Sequence, residues 1–193
     1  DASYYLFRTE DGSSENPVEE SYWVEAAEKA DSLGVDVINT SLGYFGFDNS
    51  AYDHTYNDMN GKTAFMTRGA EIAFSRGMIV VVSAGNEGAT ANPNIGVPAD
   101  GISVLTVGAV TSAKTVTTFS SIGPSSDERI KPDVMAQGQS VVLSDSAGNI
   151  RTANGTSFSS PITAGMVACL WQAFPNKTNI EIREMIVKSA DRY

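Results

Sequence analysis

Met78-Ile79-Val80-Val81-Val82-Ser83-Ala84-Gly85-Asn86-Glu87-Gly88 decides the fold. The stretch from Met78 to Val82 has no polar break, and four of its five residues are β-branched. A strand with one wet face alternates apolar and polar residues; an unbroken run fits a strand covered on both faces, as in a parallel sheet. The run ends in small residues, and the glycines flanking Asn86 let another backbone or a ligand come close. Residues 103–110 form a second run of the same kind.

Outward from these strands the period changes. Tyr22, Ala26, Ala30 and Leu33 recur at helical spacing, with Asn16 as N-cap, Pro17 at the first helical position, Glu19 three residues after the cap and Gly34 as the stop. Residues 35–39 read as a strand, 43–62 as a long polar loop, and 64–76 as a helix stopped by Gly77. A hairpin is predicted around Ala147-Gly148, and helices over 157–174 and 179–190, the last opened by a capping box from Thr178 to Glu181. The aromatic stretch Tyr4-Tyr5-Leu6-Phe7-Arg8 is strand-like. Strand, helix, strand, helix, strand is the order of a three-layer α/β domain with a mostly parallel sheet flanked by helices. In such sheets chemistry gathers at the carboxyl ends of strands.

The chain has 193 residues, suited to one domain, and 41% are apolar. Thirteen basic against 23 acidic residues leave a formal charge of -10. That argues against a nucleic-acid partner or an anionic membrane surface, which want basic patches. No run reaches the roughly 18 apolar residues of a membrane span. Cys169 is the single cysteine, so no internal disulfide forms.

Three segments carry chemistry. In Asn154-Gly155-Thr156-Ser157-Phe158-Ser159-Ser160-Pro161, a small-residue turn delivers Ser157 to the start of a helix rich in Ala164, Gly165 and Ala168. Such a helix packs closely on all sides and is expected to be central. Its N-terminal N–H groups favour developing negative charge, as in a tetrahedral intermediate of acyl transfer. A serine there also serves as an ordinary N-cap. Asn86, just past the strand end, can donate its amide to an oxyanion or act as a turn residue. The third segment, Ile38-Asn39-Thr40-Ser41-Leu42-Gly43, is a strand running into a small-residue loop; its backbone can pair with an extended peptide or simply turn.

Together these segments resemble the subtilase family: 154–161 is similar to its nucleophile motif, 83–88 to its oxyanion-hole motif, and 38–43 to its substrate-groove strand. Val104 to Val110, Phe119-Ser120-Ser121 and Lys131-Pro132-Asp133-Val134 also match, in the family's order. The resemblance implies a serine endopeptidase acting through an acyl-enzyme, with Ser157 as nucleophile and the Asn86 side chain and Ser157 N–H holding the oxyanion. It implies that Ser41, Leu42 and Gly43 line the groove, that Ala84 and Gly85 wall the pocket for the residue before the cut, and that Gly96 lies at its floor. Phe158 departs from the Met of the best-known members.

The family's triad runs Asp, His, Ser. Its Asp-Ser/Thr-Gly and His-Gly-Thr motifs do not occur here. Asp36 lies inside the groove strand, and His54, the only histidine, is expected in a solvated surface loop. The chain starts at Asp1 without Met, so 1–193 is expected to be a partial peptidase domain, truncated at both ends and inactive alone. The rival expectation is a degenerate, non-catalytic peptide-binding module of the same fold. A generic α/β hydrolase is disfavoured because no Gly-x-Ser-x-Gly elbow surrounds Ser157. Expected partners are a peptide or protein substrate and, through exposed strand edges, other copies of the chain. No cofactor is implied. Many subtilases bind calcium, and Asp48, Asp53 and Asp58 are acidic loop residues of the right type, but they lack regular calcium-loop spacing; no metal site is assigned. Location outside the cytoplasm is expected from the resemblance alone.

Overall fold

The apolar run folds as β2 (Ile79–Ser83), and every residue in it is buried. In this computed structural model, which describes residues 2–191, β2 lies between β1 (Val37–Thr40) and β3 (Leu105–Val110), with β4 (Val134–Gln137) beyond β3. Asp1, Arg192 and Tyr193, the ends of the 1–193 unit assigned from sequence, lie outside the described residues. All three pairings are parallel, with Thr40 opposite Val82 and Ser83 opposite Val107. The register brings the ends of β1 and β2 within one residue of each other, and β3 runs three residues further in the same direction. The loops at 41–46, 84–88 and, beyond β3, 111–121 therefore leave from the same edge.

Successive side chains of a strand point to opposite faces, and β2 supplies both cores. Val80 and Val82 pack with Trp23, Ala27, Ala70 and Met66 of α1 (Val18–Ser32) and α2 (Phe65–Ser75). Ile79 and Val81 pack with Val167, Ile182 and Ile186 of α3 (Thr156–Ala173) and α4 (Asn179–Ser189). The result is the three-layer α/β architecture with a parallel sheet flanked by helices. The antiparallel hairpin of β5 (Val141–Ser144) and β6 (Ile150–Ala153) leads into α3. The Thr178 hydroxyl accepts from the Glu181 N–H at 3.2 Å while Glu181 accepts from the Thr178 N–H at 2.9 Å, the capping box read from sequence.

Several expectations change. Residues 4–8 form no strand, and Leu6 is 94% exposed. A strand needs a partner ladder, and no described strand lies beside them; among the described residues β1 itself pairs only with β2, which leaves its other edge without a ladder. The Asn16 side chain does not cap α1; instead its N–H donates to the Glu19 carboxylate at 3.1 Å. The helix α3 is not packed on all sides. It rests on the sheet through Thr163 and Val167, while Ile162 and Met166 are exposed and nothing lies within 4 Å of a Cβ built on Gly165. Strand β4 was not foreseen. It is held by pairing with β3 and by a buried cluster: the Lys131 ammonium donates to Asp133 at 2.8 Å, and Arg183 of α4 to the same carboxylate at 2.8 Å. Burial pulls the Lys131 pKa down, and Asp133 opposes that.

His54 is not solvated. Its Nε2 lies 2.7 Å from the Glu20 carboxylate, both groups are largely buried, and the other Glu20 oxygen accepts the Met66 N–H at the start of α2. The loop after β1 is therefore pinned to both helices of one layer. The Glu20 contact raises the His54 pKa, and burial only partly opposes it. The loop is also stitched to the segment after β2. Tyr44 and Val97 exchange backbone hydrogen bonds at 2.9 Å. The glycines beside them let the backbones approach: a Cβ on Gly43 would stand 2.8 Å from the Val97 carbonyl, and one on Gly96 2.8 Å from the Tyr44 carbonyl.

Two outcomes follow from these contacts. Gly96→Ala forces those backbones apart and lowers stability by about 1–3 kcal/mol, measured as a fall in denaturation midpoint; an unchanged midpoint contradicts the close approach. Folding favours protonated His54, so its contribution is full below the ordinary imidazole value of about 6.5 and is lost as pH rises through the elevated folded value. His54→Gln is thus less stable by about 1–3 kcal/mol under mildly acidic conditions, and the gap narrows as pH rises. A gap that widens with pH rejects the ion pair.

Candidate active site

The sites predicted on three separate segments meet at the carboxyl end of the sheet. Ser41, Leu42, Gly43, Ala84, Gly85 and Gly96 line one cleft of about 580 Å³ together with Asn86 and Ser157.

Ser157 lies in the first turn of α3, and its side chain caps nothing. Gly155 is the N-cap residue, with φ +152°, a backbone conformation side chains rarely adopt. The Ser157 hydroxyl donates to the Ser41 carbonyl at 3.2 Å, and the Ser41 hydroxyl donates to the Ser157 carbonyl at 3.0 Å. Behind them the Asn39 amide donates to the Ser41 hydroxyl at 3.0 Å and accepts from the Ser160 hydroxyl at 2.8 Å. The tip of β1 and the first turn of α3 are thereby locked together.

Asn86 is held by Thr156. Its Oδ1 accepts the Thr156 N–H at 2.9 Å and the Thr156 hydroxyl at 3.1 Å, and that hydroxyl accepts the Gly85 N–H at 3.2 Å. A backbone N–H can only donate, so the atom facing Thr156 is the amide oxygen. The Asn86 amide nitrogen is left for the cleft. Neither it nor the Ser157 N–H has an acceptor among the described residues. Two adjacent donors without partners, beside a hydroxyl at a helix N-terminus, suit a developing oxyanion.

Among the described residues no base lies on the Ser157 hydroxyl. His54 is turned to Glu20, and Asp36 precedes the strand whose far end meets Ser157. The acidic loop residues do not converge. Asp48 accepts the Glu15 N–H, Asp53 the Phe47 N–H, and Asp58 the Thr55 N–H and hydroxyl; the Thr55 contacts hold the Asp58 pKa below the usual carboxylate value. Glu10, Glu15 and Glu19 bring oxygens within 4.8 Å of one another. Both Glu19 oxygens already accept backbone N–H groups, from Asp11 and Asn16, and we assign no ion there.

Sequence reasoning missed what Thr156 and Asn39 hold in place. Thr156 sits within the quoted motif, yet nothing in its spacing announces that it orients Asn86, 70 residues away.

Comparison with known proteins places the chain in one family. The family model described as the subtilase family matches residues 2–193. Subtilisin DY of Bacillus licheniformis is 34% identical over 168 residues, covering 86% of this chain and 54% of the relative. Subtilisin NAT of Bacillus subtilis subsp. natto is 32% identical over 190 residues, covering 98% of this chain and 44% of the relative. The chain thus spans about half the length of these curated relatives. Among solved structures, the prenylagaramide maturation protease PagA superposes with a TM-score of 0.71 at 22% identity, over 90% of this chain and 58% of that one. A cold adapted subtilisin-like serine proteinase gives 0.68 at 23% identity, over 88% and 54%. With its family match reaching almost from end to end, this chain belongs to the subtilase family of serine proteases.

Proposed function

We propose that the chain carries the nucleophile and oxyanion half of a serine endopeptidase and needs an Asp and a His from elsewhere to act. Ser157 attacks the scissile carbonyl. The Asn86 amide and the Ser157 N–H receive the oxyanion, and Ser41, Leu42 and Gly43 pair with the peptide backbone. Ala84, Gly85 and Gly96 shape the pocket for the residue before the cut. The observation that carries this reading is the Asn86 amide, pinned through its oxygen by Thr156 so that its donor end is free beside Ser157. A serine hydroxyl is a poor nucleophile without a base to take its proton, and the Ser157 hydroxyl is turned to a carbonyl.

The unpaired edge of β1 and the exposed face of α3 support docking of those further elements onto this side of the sheet. In their absence the same edge favours self-association. Sedimentation at rising concentration then gives growing species; a monomer throughout argues against it.

The reading is tested with a fluorophosphonate that labels activated serines. The chain alone stays unlabelled. Mixed with a polypeptide supplying the family's Asp and His elements, it is labelled at Ser157, and Ser157→Ala abolishes the label. In the assembled protein Asn86→Ala lowers turnover by about 10²–10³, the loss known for one such donor in subtilisin itself. Hydrolysis of a peptide ester by the chain alone, abolished by Ser157→Ala, contradicts the requirement for outside partners. Full activity in Asn86→Ala contradicts the oxyanion role.

A further inference from the structure

Ser41 stands one residue past the end of β1, and its backbone faces outward. The Ile79 N–H donates to the Asp36 carbonyl at 2.9 Å. In a parallel ladder the bonds to one neighbour come from every second residue. Asp36, Ile38 and Thr40 therefore face β2, while Val37, Asn39 and Ser41 face the edge that has no ladder among the described residues. A peptide added along such an edge is held through the outward N–H and C=O groups. The Ser41 carbonyl is one of those acceptors, on a residue that lines the cleft.

That acceptor is already engaged, because the Ser157 hydroxyl donates to it at 3.2 Å. Three further bonds hold the two residues in this position. The Ser41 hydroxyl donates to the Ser157 carbonyl at 3.0 Å, the Asn39 amide donates to the Ser41 hydroxyl at 3.0 Å, and the Ser160 hydroxyl donates to the Asn39 oxygen at 2.8 Å. Each ties the tip of β1 to the first turn of α3 or braces that tie, so the backbone itself sets the hydroxyl against the carbonyl. A serine hydroxyl has a single proton to give. While it rests on Ser41, that proton is not offered to a base, and the lone pair it covers is not open to a peptide N–H.

We propose that peptide and nucleophile compete for the Ser41 carbonyl, so that filling the groove releases Ser157. An N–H of the bound peptide displaces the hydroxyl, whose proton then turns towards an incoming base. One O–H donor is exchanged for one N–H donor, and no covalent bond changes. The coupling is reciprocal: a hydroxyl that loosens the hold on the peptide is loosened by the peptide to the same extent. An empty groove thus keeps the nucleophile parked even when a base is at hand. The proposal rests on reading residues 41–43 as the peptide groove.

Fluorescence anisotropy on the intact chain tests the competition without any catalysis. The probe is a labelled octapeptide of alanine and glutamine with one phenylalanine to fix its register, together with versions in which one backbone N–H at a time is replaced by an ester oxygen. Ser157→Ala binds the parent peptide about fivefold tighter than the native chain does, the worth of one ordinary hydrogen bond. A single ester version loses this gain, because it brings no N–H to the freed carbonyl; the others keep it. Equal affinities of the native chain and Ser157→Ala for the parent peptide overturn the competition while leaving the groove. A gain that survives in every ester version does the same, since it then reflects lost bulk rather than a freed acceptor. Failure of every peptide to bind either chain overturns both this inference and the peptide-groove reading beneath it.

Discussion

The hydrogen bonds from Thr156 to the Asn86 oxygen join the head of α3 to a loop 70 residues earlier, and the site depends on them. An asparagine after a strand ordinarily satisfies its own turn. Here the backbone N–H at the head of α3 has no partner within the helix, and it takes the amide oxygen instead. One requirement of helix ends thereby orients a side chain on a different element. The Thr156 hydroxyl closes the arrangement by accepting from Gly85 and donating to Asn86, and Thr156 is fully buried, so water does not compete.

That contact is possible because the sheet is parallel. Parallel strands place all their carboxyl ends on one edge, so the loops after β1 and β2 and the head of α3 converge without long excursions. The close backbone approach at Gly43 and Gly96 and the reciprocal bonds between Ser41 and Ser157 then fix the cleft walls. The pair of His54 with Glu20 anchors the same loop from behind, to α1 and α2. Rigidity at the site is inherited from contacts made on ordinary packing grounds.

Much of this could be read from the residues. The unbroken run at 78–82 announces a strand buried on both faces, and the Thr178–Glu181 box announces the start of α4, because both are local effects of neighbouring residues. Ser157 and Asn86 were identifiable through motif resemblance, and the structure brings them to one cleft. What was not legible depends on distant partners. Val134–Gln137 becomes a strand through its register with β3. Tyr4 to Arg8 has strand-like composition but no neighbouring ladder. His54 looks solvated among polar residues until Glu20, 34 positions earlier, is folded against it. The small residues of α3 suggest burial all round, whereas one face stands open at Ile162 and Met166.

Amide hydrogen exchange at Thr156, followed in the native chain and in Asn86→Ala, tests the central contact directly. A protected Thr156 N–H that becomes exposed in the variant, while amides of β2 and β3 keep their protection, is the predicted result. Free exchange at Thr156 in the native chain, or protection that persists without the Asn86 side chain, would mean that this asparagine is not held as described and that its amide is not aimed at Ser157.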